Sequence, residues 1–321
     1  MGARLAVLGL LVGLSIEASR SHAGDLFTVC QDESLVRRID TGTNEVTGSL
    51  PVDAGPAMAT ASPGGGYLYV THPDHGEITK IDATNLSILS VFRFDGEPFG
   101  VAADANGRFL YISDWSNDRV ARLDAESGAD RGNISVGSKP AGLVFDPQTH
   151  HLYVANRESD SVSVIDTQAM QQIAELTVGE APFALALSPD GNYLITANVR
   201  GGDAAIIDTK MLVVLARAKI GAAPYGVAVT DHADRGLISD QHKDRLTIVE
   251  LPGGQLHSTI EIGRYPEAIV SAADRAYVAN WFSGDVSVID LSSERQLTRI
   301  KLCEGPRGMV LINRKTSVSG Q

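Results

Sequence analysis

The stretch PFALALSPDGNYLITANVRGGDAAIIDTKMLVVLARAKIGAA, residues 182–223, decides the fold. It holds four short runs of β-branched and apolar residues, separated by turn formers such as Ser188-Pro189-Asp190-Gly191, which is the pattern of a four-stranded meander. Outward from Pro182, prolines recur at Pro56, Pro98, Pro140, Pro224, Pro266 and Pro306, so that successive intervals along the chain are 42, 42, 42, 42, 42 and 40 residues. Sixteen residues before each proline stands an acid: Asp40, Asp82, Asp124, Asp166, Asp208, Glu250 and Asp290. Two independent markers therefore give the same count of seven copies.

A period near 40 with four strands per copy predicts an all-β, seven-bladed β-propeller, in which each sheet is a blade and the ring leaves only short, protected edges. The chain ends show how the ring closes. The first copy begins at its second strand, LFTVC (26–30), and the chain finishes on an isolated first strand, RGMVLI (307–312). The C-terminal strand is expected to complete the N-terminal blade. The shorter sixth interval is explained by PEAIVSAADRAYVAN, where the first turn has lost two residues relative to PYGVAVTDHADRGLISD.

Residues 24–313 form one expected propeller domain, with a flexible tail at 314–321. Ahead of it, Arg4, a twelve-residue apolar run at 5–16 and Ser21-His22-Ala23 fit a signal peptide over residues 1–23. That run is too short to cross a bilayer core of about 30 Å. An exported, periplasmic protein without a membrane span is expected, secreted or extracellular if the source lacks an outer membrane. The formal net charge of −12 and the lack of long Lys/Arg runs argue against a nucleic-acid backbone as partner, and none is expected. A monomer is expected, and the sequence names no cofactor.

YLYVTHPDHGEITKID, HLYVANRESDSVSVID and AYVANWFSGDVSVID resemble the YVTN-repeat, YncE-like propeller family over nearly all of residues 26–313. The resemblance implies export and a propeller, and it names no ligand. The chain departs from the family pattern where Cys30, His72, Asp114 and Asp240 stand in place of Asn, and where Glu250-Leu251-Pro252-Gly253 replaces the Asp turn.

Features present in every copy serve what every blade needs. The repeated Asp can accept backbone N–H groups two residues on and fix a turn, and the repeated Pro presets φ at the entry to each innermost strand. Function is expected where the copies differ, on loops that one face gathers. One such ring is Cys30, His72, Asp114, Asn156, Asn198, Asp240 and Asn280; the next position gives Gln31, Pro73, Trp115, Arg157, Val199, Gln241 and Trp281. The residue after each proline is Ala57, Phe99, Ala141, Phe183, Tyr225, Glu267 or Arg307.

From these rings the expected ligand- or partner-binding residues at the channel mouth are His72, Phe99, Asp114, Trp115, Arg157, Phe183, Tyr225, Asp240, Glu267, Trp281 and Arg307. Asn156, Asn198 and Asn280 are read as loop caps. The chain's two tryptophans, three blade steps of about 51° apart, are expected to stand almost opposite each other, too far apart to sandwich one small ligand. Cys30 and Cys303 flank the seam, and two cysteines in an exported chain favour a disulfide. His72 and His75, with the cysteines, are weak metal candidates, since H-x-x-H on a loop lacks the fixed face a helix provides. The leading function is a non-catalytic binding scaffold for an envelope protein or small polar ligand, accessory to a redox or transport system. The alternatives are a lactonase-like metal-dependent hydrolase and a structural envelope protein.

Overall fold

The structure, a computed structural model, describes residues 24–314. The expected leader at 1–23, and residues 315–321 of the expected tail, lie outside the described residues. Arg314, the first residue of that tail, is held by ion pairs to Asp25 and Asp40 at 2.6 and 2.9 Å.

The ring closes through the last strand. Pro306–Asn313 pairs antiparallel with Gly24–Cys30, setting Leu311 opposite Leu26 and Val310 opposite Phe27. With Leu35–Asp40 and Glu45–Pro51 these form blade 1, and six further four-stranded antiparallel sheets follow over residues 59–93, 98–135, 140–177, 182–219, 224–261 and 266–301. Seven blades result, as the spacing predicts. Next to the seam a disulfide joins Cys30 to Cys303, Cα atoms 6.0 Å apart, and Gln31 N–H donates to the Gly305 carbonyl at 2.9 Å.

The burial of each strand follows from its place in a blade. The two middle strands are packed on both faces by neighbouring blades, so Leu152, Tyr153, Val154 and Ala155, and likewise Val162 and Val164, have no exposed surface. The fourth strand lies at the rim, and residues 171–177 are largely exposed. The repeated acids form the expected turns: Asp40 Oδ1 accepts the N–H groups of Gly42 and Thr43, and Asp166 Oδ1 those of Gln168 and Ala169. The shortened interval is a two-residue turn in blade 7, where Ala272 pairs with Arg275 and Ala273 takes φ +51°.

Blades are fastened to one another at the innermost strands. Thr71 Oγ1 donates to the Phe99 carbonyl at 2.7 Å, Ser113 Oγ to Ala141 at 2.6 Å and Ser239 Oγ to Glu267 at 2.8 Å, each crossing to the next blade. Glycine permits this approach: a Cβ on Gly226 would lie 2.1 Å from the Glu267 carbonyl oxygen, whereas one on Gly66 would meet nothing within 4 Å. Gly226→Ala should therefore lower unfolding stability by about 1–3 kcal/mol, with Gly66→Ala close to neutral, in denaturant titrations. Replacing Cys30 and Cys303 by Ser, which opens a loop spanning 273 positions, should cost about 2–5 kcal/mol in the same measurement.

Candidate functional site

The site begins with a bulge that recurs at the start of the inner strands. The pairing with the second strand shifts register between Pro98 and Val101, Pro140 and Leu143, Pro182 and Ala184, Pro224 and Val227, and Pro266 and Ile269. The closing strand shifts likewise after Pro306. A bulge leaves a residue unpaired and re-aims its side chain, and here the residue after each proline turns toward the ring axis. Three of these residues, with Trp115, form a line of rings: Trp115 to Phe99 at 5.4 Å, Phe99 to Phe183 at 5.5 Å and Phe183 to Tyr225 at 4.3 Å between centroids. Ala57 and Ala141 pack against the same cluster. The mouth is plugged by its own side chains.

Arg307 completes the plug. Its guanidinium carbon lies 5.5 Å from the Phe99 ring and 5.8 Å from the Trp281 ring, within cation–π range. Nη1 donates to Gln31 Oε1 at 2.7 Å, Nη2 donates to Tyr225 Oη at 2.9 Å, and Nε lies 3.5 Å from Glu267 Oε2. Gln241 Nε2 donates to Glu267 Oε1 at 2.8 Å. Phe99 and Arg307 thus lie between Trp115 and Trp281 and tie the two tryptophans into one cluster. Arg157 and Lys139 also lie near Trp115, each 5.9 Å from its ring.

Every member of the ring Cys30, His72, Asp114, Asn156, Asn198, Asp240 and Asn280 has no exposed surface, so His72, Asp114 and Asp240, expected at the channel mouth, are not open to it. Each ends its strand facing the sheet interior and secures its own loop or, for Cys30, the disulfide. Asp114 accepts from Asn117 Nδ2, Arg119 Nε, the Glu97 N–H and Ser116 Oγ. Asp240 pairs with Arg245 at 3.4 Å, and Asn156 and Asn280 donate to serines of the adjacent strand. His72 Nδ1 donates to the Ala54 carbonyl at 3.2 Å, so Nε2 accepts from Thr79 Oγ1 at 3.0 Å. Burial lowers its pKa and keeps it neutral. His75 is exposed on the following turn, and the cysteines are consumed by the disulfide. Among the described residues, no group of three or more His, Cys, Asp or Glu is placed to hold a metal ion.

Around the plug the face carries two hollows. One of about 200 Å³ touches Trp115, Phe99 and Arg307, and one of about 620 Å³ touches Trp281 and Phe282. Phe282, 61% exposed, packs its ring 4.7 Å from that of Tyr265. Sequence reasoning passed over Phe282 and Tyr265, although the adjacent aromatics Trp281-Phe282 in a loop carry the signal.

A seven-bladed ring of four-stranded meanders, closed by its last strand, is matched over residues 102–310 by the model of the YncE-like β-propeller family. The chain belongs to that family. No curated protein matches its sequence significantly. Solved structures share the fold. A functionally unknown protein of Desulfotomaculum acetoxidans aligns with TM-score 0.78 at 13% identity, covering 90% of this chain and 99% of that one. Hydrazine synthase of Kuenenia stuttgartiensis aligns with TM-score 0.72 at 18% identity, over 81% and 96%. Apo AztD of Citrobacter koseri aligns with TM-score 0.69 at 12% identity, over 90% and 98%. At such identities the likeness concerns the fold alone.

In this YncE-like propeller Glu267 is 3% exposed. Burial raises its carboxyl to about 7, against the opposing charge of Arg307 and the nearby Tyr225 and Gln241 donors. Burial likewise raises the Tyr225 hydroxyl, keeping it neutral. Between pH 4.5, the ordinary value for an unfolded Glu, and about 7, the folded protein holds a proton that the unfolded chain has lost. Stability should therefore fall across that window by about 3 kcal/mol relative to Glu267→Gln, and the difference should level off above it. Paired denaturant titrations at pH 4.5, 6, 7 and 8 read this directly.

Proposed function

We propose that this propeller is an exported, non-catalytic binding protein of the periplasm, whose plugged face docks an envelope protein as an accessory to a redox or transport system. The observation that carries the reading is the plug itself. With the axis filled by Phe99, Phe183, Tyr225 and Arg307, the face offers a broad surface studded with Trp115, Trp281 and Phe282. Half-buried tryptophans flanked by cations, set among polar loops, are residue types that anchor protein interfaces. The disulfide at the seam suits an oxidising compartment, and the pattern of residues 1–23 suits export.

A lactonase-like hydrolase would need His72, Asp114, Asp240 or Glu267 to meet substrate. The first three have no exposed surface and are tied to neighbouring groups, which favours the docking reading over the hydrolase. A photo-crosslinking residue at position 282 should trap one partner in the host envelope. Trp115→Ala and Trp281→Ala should each weaken that complex by about 2 kcal/mol, roughly thirtyfold, with both variants still folded by circular dichroism at the assay temperature. Fractionation of host cells should recover the chain from the periplasm with residue 24 at its N-terminus. No trapped partner, or affinity indifferent to both tryptophans, contradicts the docking reading.

A further inference from the structure

Two loops of each blade make up the docking side of the ring, and their charges are not shared evenly. The six loops of blades 1–3, residues 31–34, 52–55, 73–76, 94–97, 115–118 and 302–305, carry eight Asp or Glu and no Lys or Arg. The corresponding eight loops of blades 4–7 carry five Lys or Arg and four Asp or Glu. Acids that serve the fold have partners. Asp118 Oδ1 accepts the Lys139 N–H at 2.8 Å, and Asp160 and Asp244 accept the N–H groups of Ala181 and Tyr265 in the same way. Asp32, Asp74, Asp95, Glu97 and Glu304 differ: all are exposed, and among the described residues their carboxylates have no hydrogen-bond or ion-pair partner.

Four of these carboxylates stand at the two hollows beside the plug. Asp74 and Glu97 line the hollow of about 200 Å³ with Trp115 and Phe99, and Asp32 and Glu304 line that of about 620 Å³ with Trp281 and Phe282. Each hollow sets aromatic rings beside two negative charges that no internal contact uses. The side chain that matches such a place is apolar along its stem and cationic at its tip, which describes Lys and Arg. The cations already at the hollows are held in place: Arg307 by Gln31, Tyr225 and Glu267, and Lys301 by the Ser283 carbonyl at 3.1 Å. Arg157 is paired with Glu158, and it and Lys139 belong to blade 4, at the border of the acidic half. We propose that the partner of this face is a protein with a basic surface, whose Lys or Arg side chains enter the two hollows and meet Asp74 with Glu97 and Asp32 with Glu304. The inference rests on the docking reading and supplies the partner's chemistry. An acidic partner would set like charges against each other over blades 1–3, which opposes association.

A peptide probe separates this inference from the docking reading, because it needs no native partner. A dye-labelled peptide of Lys-Leu-Gly repeats, followed by fluorescence anisotropy, should bind about tenfold or more tightly than its Glu-Leu-Gly counterpart, and its affinity should fall by about tenfold between about 50 and about 300 mM salt. Asp74→Asn with Glu97→Gln, and Asp32→Asn with Glu304→Gln, should each weaken the Lys peptide by about fivefold. The control is Glu45→Gln with Asp274→Asn, which removes the same two charges from exposed positions at the opposite end of the blades and should leave the affinity within about twofold. Circular dichroism shows that each variant is folded. A Lys peptide that does not bind, or that binds no better than the Glu peptide, overturns the proposal. So does an unchanged affinity in either hollow variant, or a loss in the control equal to theirs. The docking reading stands or falls separately, on the crosslink at position 282.

Discussion

The hydrogen bonding of Pro306–Asn313 to Gly24–Cys30 is the contact on which the rest of the molecule depends. Every other blade is built from neighbouring segments, so its strands find each other locally. Blade 1 joins the two ends of the described chain and pays the loop-closure entropy for the whole ring at once. The Cys30–Cys303 bridge and the Arg314 pairs with Asp25 and Asp40 lie at the two ends of this ladder. They secure the strand where fraying would begin. Arg307 stands on that same strand, so the plug is assembled only when the ring is shut.

From closure, the path to the site runs through backbone geometry. In six of the seven blades the proline that opens the inner strand is followed by a bulge, and the bulge turns one side chain toward the axis. Where that residue is Phe99, Phe183 or Tyr225 the axis is filled with aromatic surface, and where it is Glu267 or Arg307 a charge is brought into it. The same device therefore makes the surface of the plug. Glu267 tolerates burial because Gln241 and Arg307 lie against it, and burial still drives its carboxyl toward the neutral form. Hydroxyls at Thr71, Ser113 and Ser239 hold adjacent inner strands at a fixed distance, so the axial side chains are positioned by the whole ring.

Much of this is legible in the order of residues. The proline and acid markers give blade number, register and the closing strand, because features that every blade needs must recur at equal spacing. The disulfide follows from two cysteines addressed to one seam. Side-chain direction is harder to read. Spacing places His72, Asp114 and Asp240 at the face, but whether a strand-end residue points outward or into the sheet is set by local pairing, and all three point in. Trp115 and Trp281 have equivalent addresses in opposite blades, yet Arg307 and Phe99 bridge the space between them, a contact among three blades that no single repeat contains. The ion pair of Glu267 and Arg307 is likewise a property of the assembled ring.

Ring closure is tested most directly by native-state hydrogen exchange at the blade 1 ladder, comparing amides bonded between 24–30 and 306–313 with those of the strand His151–Asn156, buried from Leu152 onward. A closed ring predicts that both sets exchange only through global unfolding, with the same free energy and the same denaturant dependence. If the 306–313 amides exchange as freely as surface loops while those of 151–156 stay protected, the last strand is not the clasp, and the plug and the docking face fall with it.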